Sequence, residues 1–462
     1  MSHAPSSETA RPLGARKSPP LTGVAEVPGD KSISQRALIL GALAEGETRI
    51  TGLLESGDVH STAGALRGLG ASLTQDGPGR WRVVGTGVGG WKSPAQPLDF
   101  GNSGTGSRLV MGAMATTAIT AVFTGDASLR SRPMARVVEP LKVFGVTYEG
   151  QGPKALMPLT LYGAAGARGV ETHVKTASAQ VKSALLLAAL NAQGPTRIRQ
   201  DVLTRDHSEK MLKAFGADIT VTSLSEGGEV ITVHGPARLT GCAVEVPRDP
   251  SSAAFPLVAA LIVPGSRVEL PAILLNPRRT GLIETLLEMG ADIRIRNRRT
   301  SGGEEIGDLI VHHSRLKGVT VPASRSASMI DEYPVLAVAA SFAVGETRML
   351  GLEELRVKES DRLAAVAAGL AANGVPHTIE NDDLIVHGLG PDGVPGGGMV
   401  ATHMDHRIAM SFLTMGLASR QPVAVDDVTM IATSFPEYMD LMKGLGAEFT
   451  ERPAKEAGTV SA

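Results

Sequence analysis

Six times along the chain a mixed-polarity segment closes on a glycine followed by alanine or valine: LRGLGASL, LKVFGVTY, LKAFGADI, LLEMGADI, LAANGVPH and MKGLGAEF. The glycines are Gly70, Gly145, Gly216, Gly290, Gly374 and Gly446, at intervals of 75, 71, 74, 84 and 72 residues. A repeat of this kind restricts the fold before any single residue is considered. Upstream of each glycine lies an Ala/Leu/Val-rich stretch: ALILGALAEGETRI, RLVMGAMATTAITAVF, ALLLAALNAQGPTRI, FPLVAALIVPGSRVEL, LAVAASFAVGETRML and AMSFLTMGLASRQPVAV. Each is long enough for a buried helix and runs into a β-branched segment such as ETRITGLL, which reads as a strand. The second, mixed-polarity helix ends where glycine supplies a left-handed C-cap, and segments such as DITVTSLSEGGEVITVHG read as a hairpin beyond it. The unit is therefore roughly βαββαβ. At more than seventy residues it exceeds a solenoid repeat, and six such units group as three plus three.

The predicted fold class is α/β, with two similar domains of three units each and a ligand site in the cleft between them. The stretch VAEVPGDKSISQRALIL resembles VEVPRDPSSAAFPLVAAL, so Pro28 and Pro247 stand at equivalent starts of the two halves. Residues 29–246 are expected to form the first domain, and 21–28 with 247–450 the second. Residues 1–20, rich in Ser, Pro, Ala and Arg and without the apolar stretch of a signal peptide, read as a disordered tail, as do 451–462. No run approaches eighteen apolar residues, so no membrane span is expected. A net charge of -2 with 3% aromatic residues supplies neither the basic surface nor the stacking platforms of a nucleic-acid binder. The single cysteine, Cys242, excludes an internal disulfide framework and suits a reducing compartment, so the cytoplasm is the expected location.

Chemistry concentrates where the apolar helices begin. In PGDKSISQR a turn delivers Lys31, Ser32 and Arg36 to a helix N-terminus, whose unpaired N–H groups and positive potential already favour anions. The bland alternative is an ordinary helix cap with solvated charges. Comparable polar insertions, DFGNSGTGSR, KTASAQVKSA, SMIDEYP and ATHMDHRIAM, open other units. If those helix starts face one cleft, Asn102, Ser103, Gly104, Thr105, Ser178 and Gln180 line it, and glycine allows close approach of the backbone to a ligand. Arg132, Arg205, Lys358, Arg362 and Arg407 lie on different units. Singly each reads as a surface charge, but converging they suit phosphate and carboxylate groups. Asp331 and Glu359 are the acid/base candidates, with an N-cap and a first-turn charge as their structural alternatives. His403 and His406 are not joined by a further cluster that completes a metal site.

In order along the chain, PGDKSISQR, GNSGTGSR, GDASLRSRPM, SAQVKSALLLAAL, TRDHSEKML, MIDEYPVLAVAA, EELRVKESDRL and DHRIAMSF closely resemble the EPSP synthase family from about Leu21 to Leu445. The glyphosate-tolerant bacterial class is the most similar, sharing TRDHSEKM and the ending ATSFPE. The resemblance implies the two-domain fold, a monomer, no metal or organic cofactor, and transfer of an enolpyruvyl group from phosphoenolpyruvate to shikimate 3-phosphate. It implies contacts to shikimate 3-phosphate from Lys31, Ser32, Arg36, Ser178, Arg205, Asp331 and Lys358. Phosphoenolpyruvate would meet Lys31, Gly104, Arg132, Gln180, Glu359, Arg362 and Arg407. Lys31, Asp331 and Glu359 would be catalytic. Three positions depart from the family pattern: Ala179 replaces a second serine, Thr433 stands where the glyphosate-sensitive class carries a lysine, and Gly104 stands where the tolerant class often has alanine. Two rival readings are an enolpyruvyl transferase acting on UDP-N-acetylglucosamine, which usually relies on a loop cysteine, and a non-catalytic repeat protein that binds anionic metabolites.

Overall fold

The protein is described by a computed structural model covering residues 10–301 and 303–451. Six four-stranded sheets share one strand order, a short edge strand parallel to its neighbour followed by two antiparallel pairings. In the first unit the order is Ala243–Glu245, Glu47–Thr51, Arg80–Val84 and Ser72–Gly77. Three strands of every sheet thus run the same way, and parallel neighbours require a crossover, here a helix. The two helices are therefore used up before the hairpin, and the unit runs βαβαββ, with the hairpin last instead of central as expected.

The first helix of each unit is the apolar one: Lys31–Leu43, Gly104–Met114, Ala179–Ala189, Pro250–Ile262, Tyr333–Ser341 and His406–Gly416. These six are buried almost all round, as expected of helices packed on every side. Close crossing depends on small residues. A Cβ on Gly112 would stand 2.3 Å from the Ala184 carbonyl oxygen, so helices Gly104–Met114 and Ala179–Ala189 meet backbone to backbone. The second helix of each unit covers its sheet and ends as expected, the six repeat glycines adopting φ between +70° and +108°.

Two hydrophobic cores result, one drawn from residues between Ile33 and Val246 with Leu274, the other from Ala15, Leu21, Ala25 and Val27 together with residues between Ala253 and Ala447. The N-terminal segment is a correction to the expected tail. Leu13–Arg16 is a strand of the sixth sheet, lying between Val423–Val425 and Glu448–Glu451, and Thr22–Val24 is the parallel edge strand of the fourth. Composition suggested disorder, but Ala15 is fully buried, and Gly416 leaves room for its carbonyl where a Cβ would approach to 2.5 Å. The remainder of the expected tails, residues 1–9 and 452–462, lies outside the described residues.

The chain crosses between the halves at Pro28–Asp30 and Pro247–Asp249. The two crossovers pair reciprocally: Asp30 N–H donates to the Pro247 carbonyl at 2.7 Å and Asp249 N–H to the Pro28 carbonyl at 2.9 Å. Among the described residues no helix is long and apolar enough to cross a membrane.

Candidate active site

Unit symmetry decides where polar side chains gather. The N-terminal ends of all six apolar helices reach one cavity of about 390 Å³ between the halves, through Lys31 and Ser32, Gly104 and Thr105, Ser178 and Gln180, Asp249 and Ser251, Asp331, and Arg407. The starts of the second helices add Asp58, Arg132, Arg205, Arg279 and Lys358 with Glu359. Nine Lys and Arg side chains line the cavity against six carboxylates. With the positive ends of the helices aimed inward, the cavity is built for ligands carrying several negative charges.

Individual residues are held in defined poses. Asp30 caps the first helix by accepting from Ile33 N–H at 2.8 Å, which sets Lys31 at its first position, and Lys31 Nζ lies 3.2 Å from Asp58 Oδ2. Arg36 donates to Ser208 Oγ, Ser183 Oγ and the Ser32 carbonyl. Burial pushes its guanidinium down to about 10, which leaves it cationic at neutral pH. Gln180 donates to Thr105 Oγ1 at 2.9 Å and accepts from Arg108 at 2.6 Å. Arg132 donates to Asn102 Oδ1 and to Ser128 Oγ.

Asn102, Ser103 and Arg362 are the three expected residues that do not line the cavity, Ser103 being buried as the cap that accepts from Gly106 N–H at 3.1 Å. Asn102 lies behind Arg132, tied to Asp126 through its amide at 2.8 Å. Arg362 is fully buried and donates to three carboxylates: Asp405 Oδ2 at 2.8 Å, Asp331 Oδ1 at 3.0 Å, and Glu359. One guanidinium thus fixes both acid/base candidates. Neither carries out its structural alternative, since Asp331 caps no helix and Asp361 caps the helix after Glu359. Burial raises the affinity of Asp331 for a proton, but Arg205, whose Nη2 is 2.6 Å away, together with Arg407 and Lys358, outweighs it and holds the carboxyl well below its usual range. Glu359 is held low in the same sense, burial being outweighed by Arg362 and by Arg132, whose Nη1 lies 3.7 Å off. His406 is driven well below its ordinary value by burial and by Lys31 and Arg407, so it stays neutral.

Sequence reasoning missed several lining residues. Arg108 lies one helical turn beyond Gly104 on the same face of its helix, and Arg136 stands in the first turn of the helix that follows Arg132. Asp249 is the repeat partner of Asp30, visible in the match of VPGDKS to VPRDPS. Glu354 had no such signal. It accepts both oxygens' worth of hydrogen bonds from Arg136 Nη2, each at 3.0 Å, and so joins the two halves across the cavity. Thr433 donates to the Met430 carbonyl and lies 3.4 Å from His406 Nδ1, while Cys242 lies outside the cavity, half-buried. Among the described residues one group has metal-ligand spacing, Asp206, His207 and Glu304, and Lys210 Nζ already sits 2.8 Å from Glu304 Oε2. His403 is exposed and His406 buried, so the two histidines do not converge.

Residues 15–442 match the family described as EPSP synthase (3-phosphoshikimate 1-carboxyvinyltransferase). The chain is 58% identical over 459 residues to the 3-phosphoshikimate 1-carboxyvinyltransferase of Methylorubrum populi, covering 98% of this chain and 100% of that protein. It is 59% identical over 437 residues to the enzyme of the same name from Paracoccus denitrificans, covering 95% and 98%. Among solved structures, EPSP synthase from Acinetobacter baumannii aligns with a TM-score of 0.83 at 40% identity, covering 96% of this chain and 100% of that one.

Proposed function

The chain belongs to the EPSP synthase family, and from that membership we infer that it transfers the enolpyruvyl group of phosphoenolpyruvate to the 5-hydroxyl of shikimate 3-phosphate, releasing phosphate. The observation that carries the assignment of roles is Arg362 bonding Asp331 and Glu359 together at a cavity with an excess of cations. Arg36, Ser32, Ser178, Arg205 and Lys358 receive shikimate 3-phosphate, and Arg132, Gln180 and Arg407 receive phosphoenolpyruvate, with the Gly104 backbone beside it. Asp331, ionised among its cations, takes the proton of the 5-hydroxyl as the oxygen attacks C2 of phosphoenolpyruvate. Glu359, with Lys31, delivers a proton to the C3 methylene, giving a tetrahedral ketal. Loss of phosphate from C2 and of a proton from C3 restores the double bond. Fixing two anionic reactants between the domains supplies much of the acceleration, and preorganised cations stabilise charge in both steps. Phosphate release that requires both substrates together tests the assignment, and release with phosphoenolpyruvate and UDP-N-acetylglucosamine instead would overturn it.

The domain boundaries follow the two cores, with Leu13–Arg16 assigned to the second domain. From the family resemblance and the single cysteine we propose a monomer acting in the cytoplasm. We place the chain with the glyphosate-tolerant class on TRDHSEKM, ATSFPE and Thr433, with Gly104 opposing that placement. A Cβ at Gly104 would lie 2.8 Å from Arg132 Nη1 and 3.5 Å from Arg108 Nη1. Gly104→Ala must therefore displace the end of Arg132. The variant is expected to need several-fold more glyphosate for half inhibition and to show a KM for phosphoenolpyruvate raised in the same direction. An inhibition curve unchanged from wild type would remove Gly104 from the determinants of tolerance.

A further inference from the structure

Where the two crossovers pair, their aspartates carry out the same task. Asp30 caps the helix that begins at Lys31, and Asp249 caps the helix that begins at Pro250, accepting from Ser251 N–H at 2.8 Å. Two buried carboxylates at the junction of two domains would repel strongly if left alone. Arg279, almost fully buried, comes from the start of helix Gly281–Glu288 and lies between them. Its Nη1 donates to Asp30 Oδ2 at 2.8 Å, and its Nη2 to Asp249 Oδ1 at 3.1 Å and Ser251 Oγ at 2.9 Å. Ser251 Oγ in turn donates to Glu332, the neighbour of Asp331.

We propose that Arg279 is a positioning residue, clasping both cap aspartates so that the paired crossovers hold Lys31 and, through Ser251 and Glu332, Asp331 in the poses that turnover requires. The consequence for catalysis rests on the enolpyruvyl-transfer reading; the clasp itself does not. A guanidinium fork reaches these three acceptors from two separated nitrogens, Nη1 and Nη2, a span that the single nitrogen of an ammonium lacks. Among the described residues no other cation hydrogen-bonds to both aspartates. Around Asp30 stand His207, Arg205 and Arg36, and around Asp249 stands Arg407, with Glu332 and Asp331 adding negative charge near Arg279. His207 is held below its ordinary value by burial, its Nδ1 2.7 Å from Glu304 and its Nε2 3.5 Å from Arg279 Nη1, so it brings no cation to replace the arginine. Burial and Asp30 already raise Asp249 to about 6 with Arg279 present, while Asp30 is held low chiefly by Arg279 against its own burial.

Removing the fork should therefore make the crossovers sensitive to pH. In Arg279→Gln the pair is tolerable when Asp249 is protonated and repulsive when both are charged, so the defect grows as pH rises. Hydrogen exchange of the Asp30 and Asp249 amides, each hydrogen-bonded across the crossovers, is the direct readout. Compared with wild type at the same pH, exchange is expected to be accelerated by at least about tenfold at pH 8 and much less at pH 5.5. Asp249→Asn in the Arg279→Gln background should remove most of that pH dependence, and Arg279→Lys should fall between. The kcat of Arg279→Gln should follow the same pH trend. Wild-type exchange in Arg279→Gln, or acceleration that Asp249→Asn leaves untouched, overturns the clasp. Altered exchange with no change in kcat confines Arg279 to stability and overturns the positioning role. A wild type that releases no phosphate from the two substrates defeats the activity reading alone, since exchange still decides the clasp.

Discussion

Glu359→Gln should retain shikimate 3-phosphate binding and lose kcat by about 10²–10⁴-fold, the usual worth of a positioned proton donor. Glutamine keeps the shape and still accepts from Arg362, but it has no proton to give to the C3 methylene. The carboxyl of Glu359 sits well below its usual range because Arg362 and Arg132 outweigh its burial. It is therefore ionised before substrate arrives, which is the wrong state for a donor. Phosphoenolpyruvate brings its own carboxylate and phosphate to Arg132 and Arg407, offsetting the cations that depress Glu359. The proton affinity of Glu359 then rises, and the complex takes up a proton that the free protein lacks. Titration calorimetry of the wild type in two buffers of different ionisation enthalpy should register this uptake, and Glu359→Gln should abolish it. The alkaline limb of kcat should reflect the same proton, falling as pH rises because the bound complex no longer acquires it. A variant turning over at close to the wild-type rate would remove Glu359 from the chemistry.

The sequence made the repeat legible because glycine at a left-handed cap is a local requirement, met at Gly70 and five times more. It also located Lys31, Asp331 and Glu359 at helix starts, since a polar insertion in an apolar run has few other uses. What it did not show depends on distance in space. Leu13–Arg16 looked disordered because its partners are more than 400 residues away, in Val423–Val425 and Glu448–Glu451. The place of the hairpin within the unit was misread because three parallel strands, and hence two crossover helices, become apparent only once the sheet is assembled. Arg136 and Glu354 pair across the two domains, Nη2 shared between both carboxylate oxygens, a contact that neither local sequence announces. Arg362 shows the limit of motif reasoning most clearly. Its place in RVKESDRL gives it to the site, but only the fold shows that it lies beneath the cavity wall.

Arg362→Met should destabilise the protein by about 3–5 kcal/mol, because it removes the shared partner of buried carboxylates while leaving them in place. Asp405 is fully buried, and besides Arg362 it accepts from the neutral donors Ser360 Oγ at 3.0 Å and Arg407 N–H at 2.9 Å. Asp331 keeps Arg205, so the penalty concentrates on Asp405 and Glu359. The midpoint of thermal unfolding should fall on the order of 10 °C for a domain of this size. The sign of its pH dependence separates charge from packing. In the wild type Asp331 and Glu359 are depressed below their unfolded values, so their stabilisation is fully present above the ordinary carboxylate range and is lost only as pH falls below that range toward the depressed values. Without Arg362 the carboxylates nearest it gain protons more readily when folded, and the variant loses stability as pH rises. The gap between wild type and variant should therefore be wide at pH 8 and narrow at pH 4.5. Equal gaps at both would reduce Arg362 to a matter of packing. Arg362→Lys separates the remaining alternative: an ammonium serves fewer of the three carboxylates and should unfold between the other two. A raised KM for phosphoenolpyruvate with unchanged unfolding in that variant would instead make Arg362 a substrate contact, as the family resemblance implies, and would require it to move out from beneath Asp331 and Glu359 when the ligand binds.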